Sequence, residues 1–225
     1  MTVLRLIDVK YKYEGSNRYT LKDINIEFEL GKVYSILGRS GSGKSTLLSI
    51  LSGLDNCTTG SIFYKDEALS NINKDLYRTN NLGIVFKENN LINNASSLDN
   101  IILAMGEFSR ENKHKKEIIY DLLRSFDIDE VKIKTKVDKL SDYEKKKISI
   151  ARSLINNPEI IIVDEPIEGL DEEEVKYIME KLSDLARSNN KCVIIFSSSD
   201  KITSYSDEIW GMVNGKVIFV KEAND

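Results

Sequence analysis

Few residues of this chain can do soft-metal or redox chemistry. Its 225 residues include two cysteines, Cys57 and Cys192, and one histidine, His114. Two cysteines give no disulfide framework, and Cys192, inside the apolar run Cys192-Val193-Ile194-Ile195-Phe196, reads as a small core hydrophobe. His114 lies in Glu111-Asn112-Lys113-His114-Lys115-Lys116-Glu117, which reads as a solvated helix face. Only two prolines, Pro158 and Pro166, interrupt the chain, and it shows no repeat and no low-complexity linker. No apolar run approaches the ~20 residues of a membrane helix, and the start Met1-Thr2-Val3-Leu4-Arg5 lacks the pattern of a secretion signal. With 30% charged residues and a net charge of −4, no basic surplus points to nucleic acid. These absences predict a cytosolic, mildly acidic protein that reaches a membrane only through a partner. The length suits one sizeable core, or one core with an inserted lobe.

What is present is a set of strands with a helical interlude. Leu4, Leu6 and Val9, then Ile24, Ile26, Phe28 and Leu30, follow the alternation of half-buried strands. Gly31-Lys32 turns the chain into Val33-Tyr34-Ser35-Ile36-Leu37, apolar enough for burial on both faces. Ile160-Ile161-Ile162-Val163 and Val193-Ile194-Ile195-Phe196 have the same character, and Asn214-Gly215 predicts a hairpin between Ile209–Val213 and Lys216–Val220. Between about 88 and 157 the pattern becomes helical and charged, with Ile118, Ile119, Leu122 and Leu123 as an apolar stripe. The predicted fold class is therefore α/β, a parallel-sheet core carrying a helical lobe.

The chemistry concentrates after the third predicted strand. Gly38-Arg39-Ser40-Gly41-Ser42-Gly43-Lys44-Ser45-Thr46 fits the phosphate-loop pattern and is followed by a helical pattern through Leu47, Leu48, Ile50 and Leu51. Its glycines let backbone N–H groups curl around phosphate oxygens at a helix N-terminus, whose dipole favours anions. Lys44 is expected on the β- and γ-phosphates of ATP, and the Ser45 hydroxyl on Mg²⁺. At the end of another strand, Asp164 is placed to hold Mg²⁺ and Glu165 to polarise an attacking water. The competing reading makes the first segment a glycine-rich turn and the acids surface groups at a strand end.

In this order the residues resemble the nucleotide-binding subunits of ABC transporters, over essentially the whole chain, and most nearly the lipoprotein-release and macrolide-export type. The likeness runs through Tyr13, Leu21-Lys22-Asp23-Ile24, the phosphate loop, Gly83-Ile84-Val85-Phe86, Ile150-Ala151-Arg152-Ser153-Leu154, Val163-Asp164-Glu165-Pro166 and Gly169-Leu170-Asp171. It implies a P-loop NTPase fold: a RecA-like parallel-sheet core with an N-terminal antiparallel β subdomain, about 1–87 and 158–225, and a helical subdomain inserted at about 88–157. It also implies Mg-ATP as ligand and Tyr13 as the aromatic stacked on adenine, although an aromatic in an early strand also serves as packing. A head-to-tail pair of ATPase subunits, homodimeric or heterodimeric, would then drive an integral-membrane permease from the inner face of the cell membrane. Asn89 to Leu103 would lie near the permease.

Three departures from the family pattern stand out. The family has a glutamine after Val85-Phe86, where this chain has Lys87; an ammonium has no acceptor and cannot ligate a cation, so it is expected to swing to solvent. The signature Leu-Ser-Gly-Gly-Gln is replaced by Leu140-Ser141-Asp142-Tyr143-Glu144. Asp142 brings negative charge and Tyr143 bulk where the family brings glycine to a phosphate, so Ser141 or Asp142 reads better as a helix cap. Ser199 stands where the family has the histidine that contacts the γ-phosphate.

Together the departures predict ATP binding with slow hydrolysis and weak homodimer closure. Three functions compete: an energy-coupling ATPase subunit, a hydrolysis-impaired regulatory module or degenerate half of a heterodimer, and a soluble ABC ATPase of translation or DNA repair. The third usually carries a second nucleotide domain or a long coiled-coil insertion, and the chain has neither.

Overall fold

The computed structural model describes residues 1–106 and 111–222. The described residues build two sheets with helices between and outside them. An antiparallel sheet has the order β2-β1-β4-β5, from β1 (Thr2–Tyr11), β2 (Leu21–Glu29), β4 (Thr59–Tyr64) and β5 (Glu67–Ala68). The other runs β10-β9-β3-β8-β7-β6, from β3 (Val33–Leu37), β6 (Leu82–Val85), β7 (Ile160–Asp164), β8 (Cys192–Ser197), β9 (Glu208–Val213) and β10 (Lys216–Glu222). Its strands pair in parallel except at the edge, where β10 folds back on β9 through the Asn214-Gly215 turn.

Strand periodicity explains most of this. Along β2, Ile24, Ile26 and Phe28 face inward and the residues between them face water. In β1 Leu4, Leu6, Val9 and Tyr11 are buried, with Val3 beside them, and the spacing widens to a three-residue step after Leu6. The step is a register shift against β2, with Asp8 at φ 50°, so a bulge restores the inward face. Every residue of β8 is buried, as are Ile160 to Val163 of β7, because helices cover one face of this sheet and the antiparallel sheet with α1 (Lys44–Leu51) covers the other. Cys192 is fully buried, and burial pushes its thiol far up from its ordinary range.

Two apolar clusters meet at this sheet. One holds Tyr34, Ile36, Leu47, Ile50, Ile162 and Ile194 between the sheets. The other joins Val163, Val193 and Ile195 to the helices α3 (Ser97–Ala104), α4 (Lys115–Ser125), α5 (Glu130–Lys134), α6 (Asp142–Leu154) and α7 (Glu172–Arg187). α2 (Lys74–Asn80) contributes Tyr77 to the first cluster. In α4, Ile119 and Leu123 are buried, Leu122 packs beside them, and Ile118 is largely exposed. His114 sits at the N-cap of α4, exposed, with Nδ1 2.8 Å from Glu117 Oε2.

Candidate nucleotide site

The strand order assembles the site. Leu37 pairs with Ser197, Phe196 with Asp164, and Val163 with Val85, so the carboxyl ends of β3, β8, β7 and β6 lie side by side. Ligands of open α/β sheets bind at that edge. Residues distant in sequence therefore face one cleft of about 350 Å³, lined by Lys44, Ser45, Lys87, Asp164, Glu165 and Ser198 among others.

The phosphate loop leaves β3 and enters α1 without a side-chain cap, because Gly43 takes the cap position at φ 113°, which side chains rarely adopt. A Cβ at Gly38 would lie 2.5 Å from Ser42 Oγ and 2.7 Å from the Met212 carbonyl oxygen, so that glycine is required by space. The loop is tied down by Gly38 N–H to the Ser197 carbonyl (3.0 Å) and by Gly215 N–H to the Ser42 carbonyl (2.9 Å). Arg39 and Ser40 are on the exposed outer turn of the loop. Ser45 is exposed at the start of α1, while Thr46 is buried with Oγ1 2.8 Å from the Tyr13 hydroxyl. The half-exposed Tyr13 ring stands edge-on to Tyr11 at 5.0 Å, so β1 and α1 both hold it.

Lys44 is buried, with Nζ donating to the Gly38 carbonyl at 2.5 Å and lying 3.6 Å from Glu165 Oε1. Glu165, also buried, has the left-handed φ of 46°, an unusual conformation for a residue with a side chain. Its N–H bonds the Phe196 carbonyl at 2.8 Å, which fixes the turn after β7. Oε2 accepts three hydrogen bonds, from Ser197 Oγ (3.1 Å), Ser198 N–H (3.0 Å) and Ser198 Oγ (3.3 Å). This clamp from the end of β8 is not visible as a motif; the only signal is the serine run Ser197-Ser198-Ser199 after an apolar strand. Asp164 lies partly exposed at the strand end, and its carboxyl is pushed up by burial and by Glu165, with Lys44, Lys87 and Lys146 pulling it back.

The altered positions each have a local partner. Lys87, expected in solvent, instead meets Glu168 Oε2 at 2.9 Å while staying about half exposed. The Glu168 carboxylate holds the ammonium pKa above its usual range. Ser141 is the N-cap of α6 in a full capping box: its hydroxyl accepts from Glu144 N–H (3.2 Å), and Glu144 Oε2 accepts from Ser141 N–H (2.9 Å). Asp142 is not the cap; its carboxylate is 90% exposed and pairs with Lys145 at 3.1 Å. Tyr143 turns its ring edge-on to Tyr177 of α7 at 5.9 Å, with Lys147 Nζ 4.7 Å from its centroid. Its bulk is thereby taken up against α7 of the same chain. Ser199 caps the short 3₁₀ turn Asp200–Tyr205, accepting from Lys201 N–H at 3.4 Å.

One connection was missed from sequence. The segment after β6 offers its carbonyls to α6: Lys146 Nζ donates to the Lys87 carbonyl (3.3 Å), Ser149 Oγ to that of Asn89 (3.2 Å), and Arg152 to those of Asn89 and Asn90 (2.8 and 2.7 Å). Asn89 and Asn90 both have positive φ, at 59° and 48°. Lys146 is buried, and desolvation lowers its pKa despite Glu168, Asp164, Glu88 and Glu165 nearby. The lysine run Lys145-Lys146-Lys147 gives no hint that two of its ammoniums, those of Lys146 and Lys147, are buried donors to backbone carbonyls.

Against known proteins, residues 21–168 match the family model for ABC transporters. The chain belongs to the ABC transporter family. It is 35% identical over 207 residues to the uncharacterized ABC transporter ATP-binding protein YclH of Bacillus subtilis, covering 92% of each chain. It is 31% identical to the lipoprotein-releasing system ATP-binding protein LolD of Buchnera aphidicola, covering 86% of each. Its structure resembles the dimeric ATP-binding cassette MJ0796 bound to ADP and Pi, with TM-score 0.90, 26% identity and 99% of each chain covered. It also resembles cbiO1 from Clostridium perfringens, part of the cbiONQ ABC transporter complex, with TM-score 0.84, 28% identity, and 96% of this chain and 87% of that one covered. The protein is thus an ABC-type ATP-binding subunit with the P-loop NTPase fold, and its family is one of ATPases that dimerise and pair with membrane permeases. Among the described residues no helix is long and apolar enough to cross a membrane.

The site's donors suit Mg²⁺. Among the described residues no group of three or more His, Cys, Asp or Glu could hold a metal alone. Mg²⁺ in nucleotide sites asks for less, one or two protein oxygens beside the phosphates, and the cleft presents Ser45 and Asp164.

Proposed function

We propose that this cleft binds Mg-ATP, and that the chain couples ATP binding and slow hydrolysis to a separate integral-membrane permease as one of two facing ATPase subunits. The observation that carries the reading is the convergence of Lys44, Asp164 and Glu165 on the cleft beside the phosphate loop. Ser45 and Asp164 would hold Mg²⁺, which when bound neutralises charge on the β- and γ-phosphates. Lys44 exchanges the Gly38 carbonyl and Glu165 for the β- and γ-phosphates. That exchange leaves Glu165 Oε1 to accept a proton from water, while the serine clamp on Oε2 keeps the carboxylate aimed. Water adds to the γ-phosphorus, the bond to the β–γ bridging oxygen breaks, and ADP and phosphate leave. The half-exposed face of Tyr13 supplies a stacking surface for adenine.

The helical region at about 88–157 is the lobe that would contact the permease, around Asn89 to Leu103, from the cytoplasmic face of the membrane. Residues of about 1–87 and 158–225 form the core with its β subdomain. The likeness to LolD supports a lipoprotein-release type. Slow turnover follows from the altered residues: Lys87 offers no acceptor to metal or water, Ser199 spends its oxygen on a cap, and Asp142 sets a solvent-facing carboxylate at the signature position. The same observations favour a second reading, a regulatory module or the degenerate half of a heterodimeric pair.

The test is equilibrium titration with ATP in excess Mg²⁺. Wild type should bind, and Lys44→Ala should lose at least about tenfold in affinity, since charge-assisted bonds to phosphate are strong. Equal affinity of the two proteins would overturn the assignment.

A further inference from the structure

Lys87 has a flexible charged arm on a fixed root. Its carbonyl accepts from the buried Lys146 ammonium at 3.3 Å, and the residues just after it are held through the Asn89 and Asn90 carbonyls by Ser149 and Arg152. The side chain leaves this anchored backbone, lines the cleft beside Lys44, Ser45 and Asp164, and ends 2.9 Å from Glu168. Both members of that ion pair are about half exposed. Exposed pairs are weak, and their partners part readily.

The charges facing the cleft make this matter. Lys44 and Lys87 bring two positive charges to the lining against Asp164 and Glu165, and Glu168, the resting partner of Lys87, adds a third carboxylate beside it. The phosphate-loop N–H groups and Lys44 attract a polyphosphate while the carboxylates oppose it, an opposition that a divalent cation relieves. Here a second ammonium, that of Lys87, also lines the cleft. It has three N–H donors, so it can bond phosphate oxygens, though it cannot ligate a metal.

We propose that Lys87 is a phosphate-binding cation of the nucleotide site: it exchanges Glu168 for the terminal phosphate of a nucleoside triphosphate, so that triphosphate binding persists when Mg²⁺ is removed. Glu168 is the resting partner that keeps the arm in place between ligands. Because the exchange requires a terminal phosphate within reach of the arm, triphosphate gains from Lys87 and diphosphate gains little. The inference rests on the reading that the cleft binds ATP.

The experiment is calorimetric titration with the β,γ-imido analogue of ATP and with ADP, in excess Mg²⁺ and in EDTA. The proteins are wild type, K87M, K87Q and E168Q. Wild type should keep its EDTA affinity for the triphosphate within about tenfold of its Mg²⁺ affinity. K87M and K87Q should lose a further factor of roughly ten to a hundred in EDTA, the value of one charge-assisted hydrogen bond, with ADP affected less. E168Q, with the arm released, should bind the triphosphate more tightly in EDTA. Equal losses on Mg²⁺ removal in wild type, K87M and K87Q would overturn the proposal while leaving ATP binding intact. Failure of wild type to bind even in excess Mg²⁺ would overturn the ATP reading and this proposal with it.

Discussion

The Lys87 ammonium and the Glu168 carboxylate meet at 2.9 Å, joining the segment after β6 to the turn after β7. Those segments carry the family's glutamine position and the residues that follow Glu165, the carboxylate proposed as the base. The pair gives a lysine that cannot serve Mg²⁺ a defined place to stay. It lies near water, so its structural contribution is small. Glu168→Gln should leave the denaturant midpoint of the nucleotide-free protein essentially unmoved. A marked fall in that midpoint would show the pair to be part of the folding core.

Glu165 should separate binding from chemistry. Its Oε2 is held by three donors from Ser197 and Ser198, and its other oxygen faces Lys44. Glu165→Gln keeps the size and most of the hydrogen bonding but loses the carboxylate proposed as the base. ATP affinity should stay within a few-fold of wild type and turnover fall by roughly a hundredfold or more. Titration and steady-state phosphate release on one preparation check both halves.

The signature segment should behave as a helix start. Ser141→Ala removes one side of the capping box and should lower unfolding stability by about 1 kcal/mol, read from chemical denaturation. Tyr143→Ala removes the edge contact with Tyr177 and the surface under Lys147, and should cost about 1–2 kcal/mol. Neutral effects from both would mean that this segment is held neither by its cap nor by α7.

The raised carboxyl pKa of Asp164 predicts the sign of a pH dependence. Its folded pKa is raised by burial and by Glu165, so the folded protein binds a proton more readily there than the unfolded chain does. Its contribution therefore favours folding at acid pH and is lost as pH climbs from the ordinary carboxylate range through the raised folded value. Asp164→Asn should raise stability at neutral pH, and the gain should vanish below the ordinary aspartate range. Denaturation midpoints of both proteins across that range test it, and a pH-independent difference would contradict it.

Much of this architecture was legible because strands and the phosphate loop obey local rules. Ile160 to Val163 and Val193 to Phe196 declare two-sided burial by composition alone, and the Gly38 to Thr46 pattern carries its own strand and helix context. The Asn214-Gly215 hairpin and the core role of Cys192 were equally plain. What sequence could not show were partners chosen by the fold. Glu168 finds Lys87, and Ser197 and Ser198 find Glu165, because parallel strands bring their ends together, and Lys146 finds the Lys87 carbonyl because α6 packs beside β6. Lys87 illustrates the limit: its donor-only chemistry was evident, its counterion was not. Tyr143 illustrates another, since a bulky residue at a loop position says nothing of which way its ring will turn.

The central claim is that the chain holds ATP with intact binding groups and turns it over slowly because Lys87, Asp142, Tyr143 and Ser199 replace the family's residues. Steady-state phosphate release by the wild type and by the combined variant K87Q/D142G/Y143G/S199H, each verified as folded, tests it most directly. The wild type should run below ~1 s⁻¹, and the combined variant should exceed it by at least about tenfold. Wild-type turnover at or above ~1 s⁻¹, or a folded combined variant no faster than wild type, would contradict the account.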